Sequence, residues 1–265
     1  MALYVSIVSH EHTDDILDGL QPHRLRAAGI QVVIKDNRPD TRLKAYCAHH
    51  NIQYLTNGDD QGFGHNHNDN YTYCRSQLGL KPDDWFIVLN PDVRVAPETL
   101  LDMVATMRSR QIRLAAPNLF KDTDHRIYEG SIRVFPYPWD FITSFLLKSR
   151  RTTVDRKAIT EPTSVDWASG AFLAFRADLF ERLGGFDERY FLYCEDIDIC
   201  WRALHLEGEA TYYLPDIKAT HDGRRDSRKA ANLYLLWHVT SAVRFSWVRM
   251  RTWLQGSKAL VRAPF

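Results

Sequence analysis

The chain has 265 residues, 45% of them apolar, enough to bury one large core, and this length suits a single α/β domain with an appendage better than two independent domains. Its 34 Lys and Arg against 33 Asp and Glu leave a net charge of +1, which excludes a nucleic-acid polycation. No window approaches the ~20 consecutive apolar residues of a spanning helix. Four cysteines (Cys47, Cys74, Cys194, Cys200) form no CxxC pair and follow no secretory leader, so reduced cytoplasmic thiols are expected.

Residues 2–9, ALYVSIVS, have strand length, and Thr13 before Asp14 and Asp15 reads as the cap and first turn of a helix. A second strand, in IQVVIKDN, ends at Asp36, a helix is expected over about 40–50, and NIQYLTN is a short strand. It leads into Gly58 and a polar loop that includes GFGHNHNDN at 62–70. WFIVL, 85–89, is a strand ending abruptly in Asn90, Pro91 and Asp92. Strands alternating with helices predict a mostly parallel, doubly wound sheet, with Asp36 and Asp92 at strand carboxyl ends, where ligands gather.

In the second half, 135–151 crowds aromatics against a basic end, and 164–176 is a turn feeding a buried strand. Ile197, Cys200, Trp201 and Leu204 fall at i, i+3, i+4, i+7 with Gly208 as the stop, which puts Glu195, Asp196 and Asp198 in a helix's first turn. From Arg228 to Phe265 there is no acid, while Arg228, Lys229, Arg244, Arg249, Arg251, Lys258 and Arg262 punctuate an apolar helical pattern. The expected division is a catalytic domain over 1–222 and a basic amphipathic tail over 223–265.

Asp92 and Asn90 offer hard oxygens suited to Mg2+ or Mn2+ with substrate phosphates; a plain turn is the other reading. Asp36 with Asn37 suits either the ring imide N–H of a pyrimidine or a strand-to-loop turn. GFGHNHNDN lacks the spacing of a phosphate-binding glycine loop. Three adjacent carboxylates raise one another's pKa, a cost that a helix amino end, a cation or a reaction would justify. Asp198 can pair with Arg202 at i+4.

In order, DNRPD (36–40), GFGHNHN (62–68), LNPDV (89–93), WASGAFLAFR (167–176), YFLYCEDIDICWR (190–202) and the closing His221 resemble the family 2 inverting glycosyltransferases of GT-A fold. The likeness spans 1 to about 222. SIRVFP at 131–136, GFGHNHN and the basic tail resemble the bacterial rhamnosyltransferases of O-antigen assembly. The resemblance implies an inverting, metal-dependent transfer of L-rhamnose from dTDP-β-L-rhamnose to a polyprenyl-diphosphate-linked N-acetylglucosamine, in α-1,3 linkage; another dTDP- or UDP-sugar is the alternative.

It further implies that Asp36, Asn37, Asn68 and Asn90 bind the nucleotide and that Asp92 and His221 hold Mg2+ or Mn2+. Asp196 would be the base, Glu195 the runner-up base or an acceptor contact, and Arg133, Trp167 and Gly170 would meet the acceptor. Asn90 stands where the family's DxD motif has its first acid. Leu236, Val239, Val243, Met250, Trp253 and Leu254 lie along one helical stripe, which suits either the inner face of the cell membrane or packing on the domain.

Overall fold

The computed structural model describes residues 1–56, 58–147, 152–221, 223 and 231–255. Strands β1 (Leu3–Ser9), β2 (Gln31–Asp36), β3 (Gln53–Thr56) and β4 (Trp85–Leu89) alternate with helices α1 (Pro22–Ala27), α2 (Thr41–His49) and α3 (Phe63–Gln77). There follow β5 (Val93–Arg94), α4 (Pro97–Ser109), β6 (Leu114–Phe120), β7 (Ile132–Arg133) and α5 (Pro138–Leu147). The remainder is β8 (Thr163–Val165), β9 (Trp167–Ala168), β10 (Phe172–Arg176), α6 (Ala177–Arg182), α7 (Glu195–Glu207), β11 (Thr211–His221) and α8 (Ala231–Gln255).

Nine strands form the main sheet in the order β3-β2-β1-β4-β10-β6-β11-β5, with β8 on β11. The pairs β3–β2, β2–β1, β1–β4 and β6–β11 are parallel, and β10 runs antiparallel between β4 and β6. Side chains alternate across the pleat. Val5, Ile7, Ile87 and Leu89 therefore join one core, and Tyr4, Phe86 and Val88 the other. Burial on both faces explains why these strands are apolar almost throughout.

Two local expectations give way to tertiary hydrogen bonds. Thr13 is not a cap: its hydroxyl donates to Asp40 Oδ2 at 2.8 Å, and Asp15–Leu20 winds as a wide turn closed by Gln21 N donating to Ile16 O. GFGHNHNDN is not a loop but the start of α3. Glycine and asparagine are poor helix formers, yet Asn66, Asn68 and Asn70 are buried with partners. Asn70 donates to Ser6 Oγ and Ile7 O, and Asn66 to Gln61 O and Gly62 O.

Asp198 and Arg202 form the expected pair at 2.6 Å, buried, and Arg202 also caps Leu183 O and Gly185 O. Helix α8 is more than an appendage. Phe245 has no exposed surface and lies against Trp201 and Phe141, so the compositional boundary near residue 222 is not a boundary of packing. Its other face leaves Leu236, Val239, Val243, Trp247, Met250, Trp253 and Leu254 exposed. Arg228, Lys229, Lys258 and Arg262 lie outside the described residues. Among the described residues no helix is long and apolar enough to cross a membrane.

Candidate active site

The antiparallel pairing of β5 with β11 places His221 opposite Val93, and so beside Asp92. Asp92 Oδ1 lies 3.3 Å from His221 Nε2, and Glu129 Oε1 lies 3.8 Å from Nδ1. Burial alone would lower the imidazole's pKa, but the two carboxylates outweigh it and push His221 up to about 9. Burial likewise opposes ionisation of Asp92 and Glu129, yet hydrogen bonding and charge from His221 hold both below their ordinary values.

Once His221 gives up its proton, one hard oxygen and one imidazole nitrogen meeting at a strand end fit a divalent cation that takes its remaining ligands from water and diphosphate. Glu129 Oε2 is buried without a partner, on the Nδ1 side of the ring and so across the imidazole from Asp92. Among the described residues no group of three or more acids, histidines or cysteines is drawn around one point, so the chain would supply few of the ligands. Asn90 closes the adjoining turn, its N–H on Ala171 O and its carbonyl accepting from Val93 N.

The acids of α7 differ by environment. Asp196 is half-buried; Oδ2 accepts from Gly170 N at 3.0 Å and Oδ1 from Ile197 N at 2.8 Å. Burial raises its pKa and outweighs those amides and the nearby Arg133 charge, which pull it down. Glu195 is buried with Oε2 unpartnered, and burial, then the Asp196 charge, push it well above the usual carboxylate range. Of the two, Asp196 is the carboxylate that reaches the surface. Tyr193 and Cys194, immediately before them, both have left-handed backbone (φ 71° and 66°), a strain typical of functional sites.

Arg133 and Trp167 face each other across β7 and β9, the guanidinium 5.8 Å from the indole centroid, and Gly170 follows on the turn into β10. The three expected acceptor residues are thus assembled with Asp196. Asp36 has no exposed surface; Oδ2 accepts from Tyr54 Oη and Asp40 N, and Oδ1 accepts from Arg38 N, so it shapes the DNRPD turn. Asn37 Nδ2 donates to Gln61 O. Asn68 Nδ2 donates to Phe186 O and Glu188 Oε1 while Oδ1 accepts from Phe186 N. Its buried amide clamps Phe186 to α3.

No protein-family profile matches the chain. It is 34% identical over 244 residues to rhamnosyltransferase WbbL of Escherichia coli K12, covering 92% of each chain. It is 31% identical over 245 residues to the N-acetylglucosaminyl-diphospho-decaprenol L-rhamnosyltransferase of Mycobacterium tuberculosis, covering 85% of this chain and 78% of the relative. The chain belongs to the rhamnosyltransferases.

Solved structures agree on the GT-A fold. GalNAc-T7 with UDP, GalNAc and Mn2+ superposes with a TM-score of 0.64 at 18% identity, covering 99% of this chain and 52% of that one. The mannosyltransferase PcManGT of Pyrobaculum calidifontis, with GDP-Man and Mn2+, gives 0.55 at 16%, covering 91% and 64%. This rhamnosyltransferase is therefore a GT-A glycosyltransferase.

In the rhamnosyltransferase the motif GFGHNHN docks the segment that carries the acids. A Cβ on Gly62 would lie 2.4 Å from Phe191 O, and one on Gly64 would lie 2.6 Å from Phe186 Cβ. Phe63 N donates to Phe191 O, and Asn68 clamps Phe186. We expect Gly62→Ala to destabilise the enzyme by about 1–3 kcal/mol, because the clash is with backbone and cannot be relieved by a rotamer. Thermal unfolding measures this. A variant as stable as wild type would refute the close approach.

Sequence reasoning missed Glu129, Phe63 and the strained pair Tyr193–Cys194. Glu129 is a lone acid in YEGSIR with no spacing to mark it, and backbone strain at non-glycine residues has no signature in composition.

Proposed function

We propose that this rhamnosyltransferase moves L-rhamnose from dTDP-β-L-rhamnose to the N-acetylglucosamine of a polyprenyl-diphosphate-linked acceptor, with inversion, in the synthesis of a cell-surface polysaccharide. The observation that carries the reading is Asp196, a half-buried carboxylate held by two backbone amides beside Arg133, Trp167 and Gly170. Two relatives named as rhamnosyltransferases, one of them for N-acetylglucosaminyl-diphospho-decaprenol, support the donor sugar and the acceptor.

An acceptor hydroxyl must lose its proton as it attacks the anomeric carbon, and Asp196 is the group assigned to take it. Gly170 N–H and Ile197 N–H fix the carboxylate's orientation. Arg133 sits where it would meet a phosphate of the acceptor, and Trp167, its indole N–H donating to Val134 O, presents a wall rather than a polar contact. Asp92 and His221 would hold Mg2+ or Mn2+, which when bound supplies positive charge to the departing diphosphate. A single displacement converts a β-linked donor into an α-linked product.

The nucleotide base is assigned to the surface beside the DNRPD turn that Asp36 and Asn37 shape, with Asn90 at the neighbouring strand end. The exposed apolar stripe of α8, with three arginines and no acid between 231 and 255, supports a peripheral seat on the inner face of the cell membrane. The deciding experiment offers dTDP- and UDP-sugars with an N-acetylglucosamine-diphosphate lipid analogue and follows product mass. Addition of one deoxyhexose from dTDP-rhamnose alone is expected. Efficient transfer from a UDP-sugar instead would overturn the donor assignment.

A further inference from the structure

A groove of about 390 Å³ runs between α8 and the segment before the acids, lined by Arg189, Phe191, Trp237, Val243, Arg244 and Trp247 with the hydroxyl residues Thr240 and Ser241. No acid lines it. The arginines near it are not equivalent. Arg189 is held by Asp187 at 2.6 Å, and Arg249 donates to Phe135 O and Pro136 O with its guanidinium on the Tyr137 ring. Arg251 lies over Trp247 at 4.5 Å. Arg244 has, among the described residues, no hydrogen bond or ion pair, and its guanidinium stands 5.7 Å from the Tyr190 ring centroid.

A half-buried guanidinium without an acid partner, in a groove of aromatic walls, is a site for an anion with an apolar body attached. Val243 and Trp247 belong both to the groove and to the exposed face of α8. A ligand arriving with a bilayer meets Arg244 as that face docks. We propose that the groove binds the phosphate of an anionic phospholipid, with Arg244 as its main ligand and Trp237, Val243 and Trp247 packing on the lipid's glycerol and upper acyl region. This rests on the peripheral-membrane reading above and names the lipid chemistry that it requires.

The test is co-sedimentation of the full chain with phosphatidylcholine vesicles, with and without phosphatidylglycerol. Wild type is expected to prefer the vesicles containing phosphatidylglycerol. Arg244→Gln should weaken that binding about fivefold, the equivalent of ~1 kcal/mol for one basic residue at an anionic leaflet, and Arg251→Gln should weaken it less. Near-UV circular dichroism of each variant checks that α8 remains packed. Equal losses in the two variants would reduce the effect to diffuse attraction and overturn the groove site, while leaving the membrane reading intact. Absence of vesicle binding by wild type would overturn both. Binding of a water-soluble short-chain prenyl diphosphate that is lost in Arg244→Gln would assign the groove to the acceptor and overturn the phospholipid proposal.

Discussion

Asp196→Asn should lower kcat by about 10²–10⁴, the usual contribution of a positioned proton acceptor, while the donor's Kd stays nearly unchanged. The substitution keeps the shape of the side chain but cannot keep its bonding. Both carboxylate oxygens accept from backbone N–H groups, and an amide can present an acceptor to only one of them. Removing a charge from a partly buried site offsets that loss, so thermal stability is expected to change little. The wild-type profile carries a second signature. Burial raises the carboxyl's pKa, and the base works only when ionised, so kcat rises with pH along a limb above the ordinary range of aspartate. Stopped-time assays across pH and calorimetry with the donor separate these effects. Full turnover in the variant, or parallel loss of donor binding, would end the assignment.

With Asp92 as a proposed metal ligand, Mn2+ should raise the affinity for dTDP and Asp92→Ala should remove that gain, a loss of at least about tenfold by analogy with the sensitivity of metal sites to their supporting groups. The reasoning is geometric. Asp92 and His221 are the two donors in direct contact, and His221 is otherwise left with Glu129 at 3.8 Å. Calorimetry of dTDP binding with and without Mn2+ reads the difference directly. An unchanged Mn2+ increment would exclude Asp92 as a ligand. His221→Ala should move the measurement in the same direction, and Glu129→Gln shows how far the outer carboxylate matters.

Much of the fold was legible because its signals are local. Apolar runs of strand length, the carboxyl-end placement of Asp92, the i, i+3, i+4 stripe of α7 and its Gly208 stop all follow from periodicity and turn chemistry. The partnership of Asp198 with Arg202 follows from one helical turn. What was not legible depends on distant partners. GFGHNHN reads as a loop until Phe186 and Phe191, more than a hundred residues away, are seen to require its small and amide side chains. Asp36 looks free until Tyr54 is seen to occupy it. Order along the chain, rather than any single residue, points to the site; the fold puts His221 beside Asp92, and Gly170, Arg133 and Trp167 on the side of Asp196.

The brace between α8 and the loop over 191–193 limits how far this enzyme can be treated as modular. Ser241 Oγ donates to Leu192 O at 2.9 Å, and Trp237 lies 4.5 Å from the Phe191 ring, just ahead of the left-handed Tyr193 and Cys194. A chimera cut near residue 222 would exchange more than a tail. It would leave the strained turn without its buttress, and the donor of a new tail would need a serine and a tryptophan in register with that loop before the acids of α7 were again held in place.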